Sequence, residues 1–123
     1  MTPPPKTVEL KVFVPAKDYA RSRQFYADLG FHLASDGDGV AYLHCGDTAF
    51  LLQDFHDEGL AKNMMLHLLV EDVDAWHAHV LASGVRERYG VRVGEVETQP
   101  WRMRDFVLFD PSGVLWRIAQ NIR

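Results

Sequence analysis

The sequence has one cysteine, Cys45, and no apolar run long enough to cross a membrane. A single thiol cannot form a disulfide within the chain, and it is typical of proteins in a reducing compartment. Basic residues are also few: 13 Lys and Arg against 17 Asp and Glu give a net charge of -4, which argues against a nucleic-acid partner. Residues 1–6 are polar and rich in proline, unlike a signal peptide. We therefore expect a cytoplasmic protein that binds neither a membrane nor nucleic acid.

The first half of the chain has the alternation and punctuation of one folded unit. With 123 residues, 47% of them hydrophobic, the chain has the size and composition of one globular domain. Asp18 is a plausible N-cap and Gly30 fits the position just past a helix end. Residues 1–53 contain, in order, a strand over 7–14, a helix over 18–28, and strands over 31–35, 40–45 and 48–53. This predicts the order β-α-β-β-β.

The second half repeats this order. Residues 66–85, like residues 10–31, run from an apolar strand ending in valine through an acidic cap and a helix to a glycine. The predicted elements are a strand over 64–70, a helix over 72–82 capped by Asp72, and strands near 87–98, 104–109 and 114–119. A half-chain offset with no third copy predicts two tandem modules rather than a solenoid. We expect a single α+β domain with module one at about 7–53, a linker at 54–63 and module two at about 64–120.

The last two predicted strands are joined by a strong turn signal. In Asp110-Pro111-Ser112-Gly113, proline fixes φ and glycine tolerates positive φ. Beyond the turn, Val114, Trp116 and Ile118 share one face of the strand, and Arg117 lies on the other. A charge in the middle of this strand indicates that its second face is not an ordinary core.

Three stretches together resemble the vicinal oxygen chelate superfamily. They are V-P-A-K-D-Y-A-R-S-R-Q-F-Y-A-D-L-G-F, V-E-D-V-D-A-W and F-D-P-S-G-V-L-W-R-I. That superfamily includes glyoxalase I, extradiol dioxygenases, and fosfomycin- and bleomycin-resistance proteins. The resemblance implies two β-α-β-β-β modules whose sheets enclose a U-shaped cavity, the glyoxalase/bleomycin-resistance fold. It also implies a homodimer with small-molecule sites between the chains.

Metal-dependent enzymes of this superfamily hold a divalent cation with one side chain from the first and one from the last strand of each module. Such cations take imidazole nitrogen or oxygen ligands. The resemblance places Glu9, Leu51 or Gln53, Met65 and Arg117 at these positions. Arginine has no lone pair to give, and a register shift of one residue, which would bring in His67 or Gln53, does not complete a set. The predicted cofactor is therefore none, with a divalent metal ion as the alternative.

Without a metal, we expect side chains of these strands to line a ligand cavity. Glu9 and Arg117 would then either form an ion pair where the metal would have been, or both point to solvent at a sheet edge. Lys11 and Phe13 share a strand face with Glu9 and are candidate lining residues, although Phe13 also fits a plain core position. His67 is the histidine to test as a ligand contact or proton shuttle, with a structural role as the alternative.

A further clue lies before the last hairpin. Gln99-Pro100-Trp101, followed by Phe106 and the D-P-x-G turn, is similar to the Q-P-W-G-x-x-x-F-x-x-x-D-P-x-G stretch of bleomycin-resistance proteins, which neutralise the drug by binding it. The resemblance implies that Trp101 offers a stacking surface, which suits planar heteroaromatic ligands. A packed aromatic at a loop-to-strand junction is the alternative. Arg102 departs from the pattern, which has glycine there.

Two functional hypotheses follow, and they belong to different classes. One is a metal-free binding protein for antibiotic resistance, which sequesters an aromatic or glycopeptide antibiotic-like ligand. Its candidate ligand-binding residues are Trp101, Phe13, Glu9, Lys11, His67, Met65, Gln53 and Arg117. The other is a metal-dependent lyase, isomerase or dioxygenase. A family member with an unrelated metabolite as its ligand fits the same residues, since a fold does not name its ligand.

Overall fold

The computed structural model describes residues 2–123 and contains two four-stranded sheets. The first module consists of β1 (Phe13–Ala16), α1 (Tyr19–Leu29), β2 (His32–Gly37), β3 (Val40–Cys45) and β4 (Thr48–Asp54). A short helix, α2 (Glu58–Asn63), links it to the second. The second module consists of β5 (Met65–Leu69), α3 (Val73–Ser83), α4 (Val85–Tyr89), β6 (Glu97–Gln99), β7 (Met103–Phe109) and β8 (Leu115–Asn121). Among these residues, no helix has the length and hydropathy of a membrane span.

The two sheets have the same strand order. The first is β1-β4-β3-β2 and the second is β5-β8-β7-β6, so each module begins on an edge strand that pairs in parallel with the last strand of its own module. The remaining pairs are antiparallel. The predicted α+β fold of two tandem modules is confirmed.

Both long helices begin and end where their cap residues predict. The Asp18 carboxylate accepts the Arg21 N–H at 3.1 Å, and Gly30 ends α1 with φ of +110°. In the second module, the Asp72 carboxylate caps α3, and Gly84 ends it with φ of +79°. The local sequence therefore carries the signals for these boundaries.

The strand predicted over residues 7–14 is wrong except at its end, because β1 begins at Phe13. Val8 and Leu10 are 102% and 96% exposed, and residues 2–12 form no strand. The last backbone hydrogen bond toward the N-terminus is the one that the Leu51 N–H donates to the Val12 carbonyl at 3.0 Å. Alternating apolar and polar residues indicate that a segment is able to pair as a strand. Within the described part of this chain, residues 2–12 have no neighbouring strand with which to pair.

The strand predicted near 87–98 is also largely wrong. Its first residues form α4, which lies between two glycines with positive φ, Gly84 and Gly90, and which buries Val85 completely. Glu97–Gln99 pairs with β7 as a strand, and Val93 makes an isolated antiparallel bridge to Leu108 of β7. The predicted linker at 54–63 contains α2, whose N-cap Asp57 accepts the Leu60 N–H at 2.9 Å.

A buried aromatic cluster joins the two modules. Tyr26 of α1 and Phe50 of β4 both lie against Trp116 of β8, with ring centroids 5.7 and 5.3 Å from the indole. The Tyr26 hydroxyl donates to the Asp110 carboxylate at 2.6 Å and accepts the Trp116 indole N–H at 3.0 Å. Asp110 in turn accepts the backbone N–H of Val114, so the turn before β8 is tied to α1. Burial raises the pKa of the Asp110 carboxyl above its usual value.

Candidate functional site

Each sheet turns one face toward the helices and leaves the other face open. In the first sheet, alternate residues such as Leu43 and Leu52 are buried in the core. Their neighbours along the strands form the open face, which we call face one: Phe13, Val40, Tyr42, His44, Leu51 and Gln53. Phe13 is 51% exposed, so face one carries apolar surface that this chain leaves uncovered.

The open face of the second sheet, face two, is built in the same way. Phe106, Leu108 and Ile118 are buried, and the residues between them point to the other side. Face two consists of Met65, His67, Leu69, Glu97, Asp105, Val107, Phe109, Leu115 and Arg117. Met65 and Leu69 are more than half exposed.

Five of the eight predicted ligand-binding residues lie on the two faces, and three lie outside both sheets. Phe13 and Gln53 lie on face one, and Met65, His67 and Arg117 on face two, where His67 and Arg117 are cross-strand partners. The exposure of Phe13 excludes the alternative that it is plain core. Glu9, Lys11 and Trp101 lie outside both sheets, in the N-terminal segment and in the turn before β7.

Glu9 and Lys11 meet beside face one. The Lys11 ammonium donates to the Glu9 carboxylate at 2.8 Å and lies 4.9 Å from the centre of the Tyr42 ring. The Tyr42 hydroxyl donates to the same carboxylate at 3.1 Å. The hydrogen bond from Lys11 lowers the pKa of the Glu9 carboxyl, and the same bond raises the pKa of Lys11.

The proposed ion pair between Glu9 and Arg117 is wrong within this chain, since Arg117 has another partner. Its guanidinium donates to the Asp105 carboxylate at 3.0 Å, and the Gln99 amide donates to the other oxygen of that carboxylate at 2.9 Å. Asp105 lies opposite Ala119, and Arg117 lies opposite Val107, two residues further along each strand. Asp105 and Arg117 are therefore diagonal neighbours on the same face of the sheet. Its side chain is 3% exposed and that of Arg117 is 28% exposed, so Arg117 keeps donors on the open side.

Trp101 lies at the tip of a tight three-residue turn. The Arg102 N–H donates to the Gln99 carbonyl at 3.2 Å, and Gln99 pairs with Met103, which leaves Pro100, Trp101 and Arg102 as the loop. Arg102 has φ of +64°, the left-handed conformation that follows a type I turn in such hairpins and that favours glycine. Trp101 is 56% exposed, which excludes the packed alternative.

The side chains at the four metal positions of the superfamily do not fit a divalent cation. Leu51 has no donor atom, and Gln53, the alternative at that position, offers one neutral amide oxygen. Met65 offers a neutral thioether, and the Arg117 guanidinium is a permanent cation. The carboxylate of Glu9 is engaged by Lys11 and Tyr42. Among residues 2–123, no group of three or more His, Cys, Asp or Glu side chains is arranged to hold a metal.

The cavities of the single chain are poorly placed to enclose a ligand around these residues. The cavity that includes His67, between the modules and beside Val12 and Trp116, has a volume of about 120 Å³. Drug-sized ligands occupy sites of about 300–1,000 Å³. A larger groove of about 690 Å³, lined in part by Glu71, Arg104 and Arg123, shares only Leu69 with face two. Faces one and two are therefore open surfaces rather than a closed pocket.

Sequence reasoning missed Asp105 as a member of the site. The signal was present, because β7 alternates and Asp105 falls on the same side as Val107 and Phe109. Once the turn after Phe109 fixes the hairpin register, Asp105 and Arg117 are diagonal neighbours on one face. The acidic residue within this apolar strand could therefore have been predicted as the partner of Arg117.

Comparisons with known proteins agree with this architecture. The family model of the Glyoxalase/Bleomycin resistance protein/Dioxygenase superfamily matches residues 10–118. A bleomycin resistance protein from Klebsiella pneumoniae is 28% identical over 113 residues, which are 88% of each chain. The crystal structure of a bleomycin-binding protein complexed with bleomycin has a TM-score of 0.80 at 27% identity, covering 94% of this chain and 99% of that one.

A third comparison gives the same result. The crystal structure of a bleomycin resistance determinant encoded on the transposon Tn5 has a TM-score of 0.76 at 25% identity, covering 94% of this chain and 98% of that one. The matched segment of the family model runs from the N-terminal segment into β8 and so includes both modules. The chain belongs to the glyoxalase/bleomycin resistance protein/dioxygenase superfamily.

Proposed function

We propose that this protein binds a bleomycin-type antibiotic and sequesters it without chemical turnover. The observation that carries the proposal is the exposed Trp101, held on a tight turn at the end of the sheet that bears face two. Indole provides a large stacking surface at low entropic cost, and it is enriched where proteins bind partners. Relatives that share this fold along nearly the whole chain are named for binding or resisting bleomycin.

The composition of face two supports a ligand that is partly apolar and partly cationic. Met65, Leu69 and other apolar residues offer contact area. The charge of Arg117 is balanced by Asp105. Glu97 is the cross-strand partner of Asp105, and its carboxylate gives face two an excess of negative charge. An acidic surface raises the local concentration of a cationic ligand.

We propose that the binding sites form between two copies of the chain in a cytoplasmic homodimer. The accessible surface is 7727 Å², whereas a monomer of 14.0 kDa is expected to expose roughly 6,700 Å². Faces one and two and the fully exposed Val8 and Leu10 account for apolar surface that a second copy would cover. An unpaired Cys45 is in keeping with a reducing compartment.

We further propose that binding needs no metal at the four superfamily positions. The donor chemistry of Leu51, Met65 and Arg117 supports this part of the proposal. A superfamily enzyme would instead lose its activity and its metal together when treated with a chelator.

Titration with bleomycin by isothermal calorimetry, with and without EDTA, tests the proposal. We expect saturable binding that EDTA leaves unchanged, and bleomycin recovered intact after incubation. Trp101→Ala should weaken binding about tenfold or more, as loss of a central tryptophan does in other interfaces, while Trp101→Phe keeps most of the affinity because it keeps an aromatic ring. Leu60→Ala removes an exposed apolar side chain on α2 and serves as the control.

Absence of saturable binding, or chelator-sensitive binding, would contradict the proposal. Conversion of bleomycin into a product would contradict the claim that it is only sequestered. Equal affinities for Trp101→Ala and Leu60→Ala would show that Trp101 is not part of the site.

A further inference from the structure

Two histidines face each other on the side of the first sheet that is open to solvent. His32 of β2 and His44 of β3 are direct cross-strand partners, so their side chains lie on the same side of the sheet. Their ring centroids are 4.9 Å apart and the rings meet edge to face, with an interplanar angle of 62°. This pair lies on β2 and β3, whereas the superfamily metal positions are assigned to the first and last strands of each module.

The separation of the rings is compatible with a shared cation. Imidazole nitrogens bind Zn²⁺ or Cu²⁺ at about 2.0–2.1 Å, which places each ring centroid about 3.2 Å from the metal. Two such rings are then about 4.5 Å apart for a 90° angle at the metal and about 5.2 Å apart for a tetrahedral angle. The observed 4.9 Å falls between these values.

Both rings have free nitrogens. Within residues 2–123, neither His32 nor His44 makes a side-chain hydrogen bond. By contrast, the ring of His77 is bonded to the Gly94 carbonyl at 2.9 Å, and that of His79 to the Leu29 carbonyl at 2.6 Å. A free imidazole nitrogen is a prerequisite for metal binding, since the metal takes the lone pair.

The groups near the pair include a tyrosine and an acid. The Tyr42 ring lies 6.1 Å from that of His44, and its hydroxyl holds the Glu9 carboxylate. That carboxylate brings a negative charge to this side of the pair, although its ion pair with Lys11 partly offsets it. Cys45 follows His44 in β3 and therefore points to the opposite side of the sheet.

We propose that His32 and His44 form a two-histidine site for a transition-metal cation of the Cu²⁺, Ni²⁺ or Zn²⁺ class. Imidazole suits these cations, and Cu²⁺ is bound most tightly of them. With two protein ligands, the remaining positions are filled by water or by a chelating small molecule that lies on face one. This proposal does not rest on the antibiotic binding proposed above, although the pair shares face one with Phe13 and Gln53.

Metal titration of the chelator-treated full-length chain tests this inference. With CuCl₂ or ZnCl₂ in calorimetry, we expect one saturable site per chain. His32→Gln and His44→Gln should each weaken it by about tenfold or more, because each removes one of two protein ligands. His56→Gln, which removes an exposed histidine outside both sheets, should leave the affinity unchanged. In NMR, paramagnetic Cu²⁺ should broaden the ring signals of His32 and His44 before those of the other histidines.

Circular dichroism without metal establishes that the variants fold, which is expected because His32 is exposed and His44 is half-buried on the sheet surface. Failure of the wild-type chain to bind either metal would overturn the inference. So would a double variant, H32Q/H44Q, that binds with wild-type stoichiometry and affinity. Bleomycin binding is measured separately in EDTA, so a failure there leaves this result unaffected.

Discussion

Replacement of Tyr26 by phenylalanine removes one oxygen atom from the centre of the molecule. Tyr26 is fully buried, and its hydroxyl connects α1 in the first module to Asp110 and Trp116 in the second. The aromatic contacts with Phe25, Phe31 and Phe50 do not involve the hydroxyl and are retained. The substitution therefore isolates the polar link between the modules.

The expected cost follows from the two groups that lose their partner. One oxygen of the buried Asp110 carboxylate loses a hydrogen bond of 2.6 Å, and bonds to charged groups contribute about 1.5–3 kcal/mol each. The Trp116 N–H loses its acceptor, which costs about 1–3 kcal/mol in a buried site. Because such terms are not fully additive, we expect a destabilisation of about 3 kcal/mol. For 123 residues this corresponds to a fall in Tm of about 12 °C.

Thermal and urea unfolding, followed by circular dichroism, measure this effect. Tyr19→Phe is the matched control, because its hydroxyl donates to the exposed Asp36 carboxylate, which also has Arg23 as a partner. The control should lose less than about 1 kcal/mol. A loss below about 1 kcal/mol for Tyr26→Phe would refute the argument that the buried hydroxyl ties the modules together.

The dependence of this loss on pH provides a second check. Burial raises the folded-state pKa of Asp110 above the 3.8 of an unperturbed aspartate. A group with a raised pKa contributes its full stability below the unfolded pKa, and this contribution is lost as pH rises through the folded pKa. The Tyr26 hydrogen bond favours the ionised carboxylate, so its removal raises the pKa further. The difference between wild type and Tyr26→Phe should therefore grow from acidic to neutral pH, and a difference that shrinks would contradict this reasoning.

Two further predictions concern the turn at Trp101 and the N-terminal segment. Arg102→Gly should change the free energy of unfolding by less than about 0.5 kcal/mol or raise it. Arg102→Val should lower it by about 1–2 kcal/mol, because a β-branched residue is strained at φ of +64°. Equal thermal stabilities of the two variants would contradict this prediction. In analytical ultracentrifugation, the wild type should sediment as a dimer. The double variant V8S/L10S should have a dimer dissociation constant about tenfold higher and an unchanged circular dichroism spectrum. A monomeric wild type would refute the dimer.

Much of the fold was predictable because its signals are local. Asp18 and Gly30 mark the ends of α1, and the spacing between them needs no information from elsewhere in the chain. The turn at Asp110 is equally local, since its carboxylate accepts the N–H groups of Ser112 and Val114. Where caps and turns carry the signal, a single sequence is sufficient.

The errors occur where the same local pattern permits two structures. Val8 and Leu10 belong to a segment with the alternation of a strand, but a strand forms only where a neighbouring strand is available. Both residues are exposed and have no such neighbour within the described chain. In α4, two glycines bracket five residues, the last three of which were predicted to begin a strand, and Val85 is buried in the helical conformation. These outcomes depend on tertiary packing, which propensity does not report.

The candidate site was only half predictable for a related reason. Alternation indicates which side chains share a strand face, and Met65 and His67 share a face in the structure as expected. Their partners depend on strand register and on the path of residues 2–12. The pairing of Arg117 with Asp105 rather than Glu9 required both.

The pairing of Arg117 explains how this chain carries a permanent cation at a position where superfamily enzymes hold a metal ligand. An unpaired guanidinium there would be costly to desolvate when a ligand or a second copy covers the sheet. Asp105 is itself almost fully buried, and its two oxygens accept hydrogen bonds from Arg117 and the Gln99 amide. The positive charge of Arg117 is therefore balanced within the chain, without a ligand. The remaining guanidinium donors still point outward, and Gln99 begins the turn that carries Trp101. Two hydrogen bonds thus link the guanidinium of Arg117, through Asp105, to Gln99, the residue next to the loop that carries the exposed indole, and this favours a ligand that contacts both.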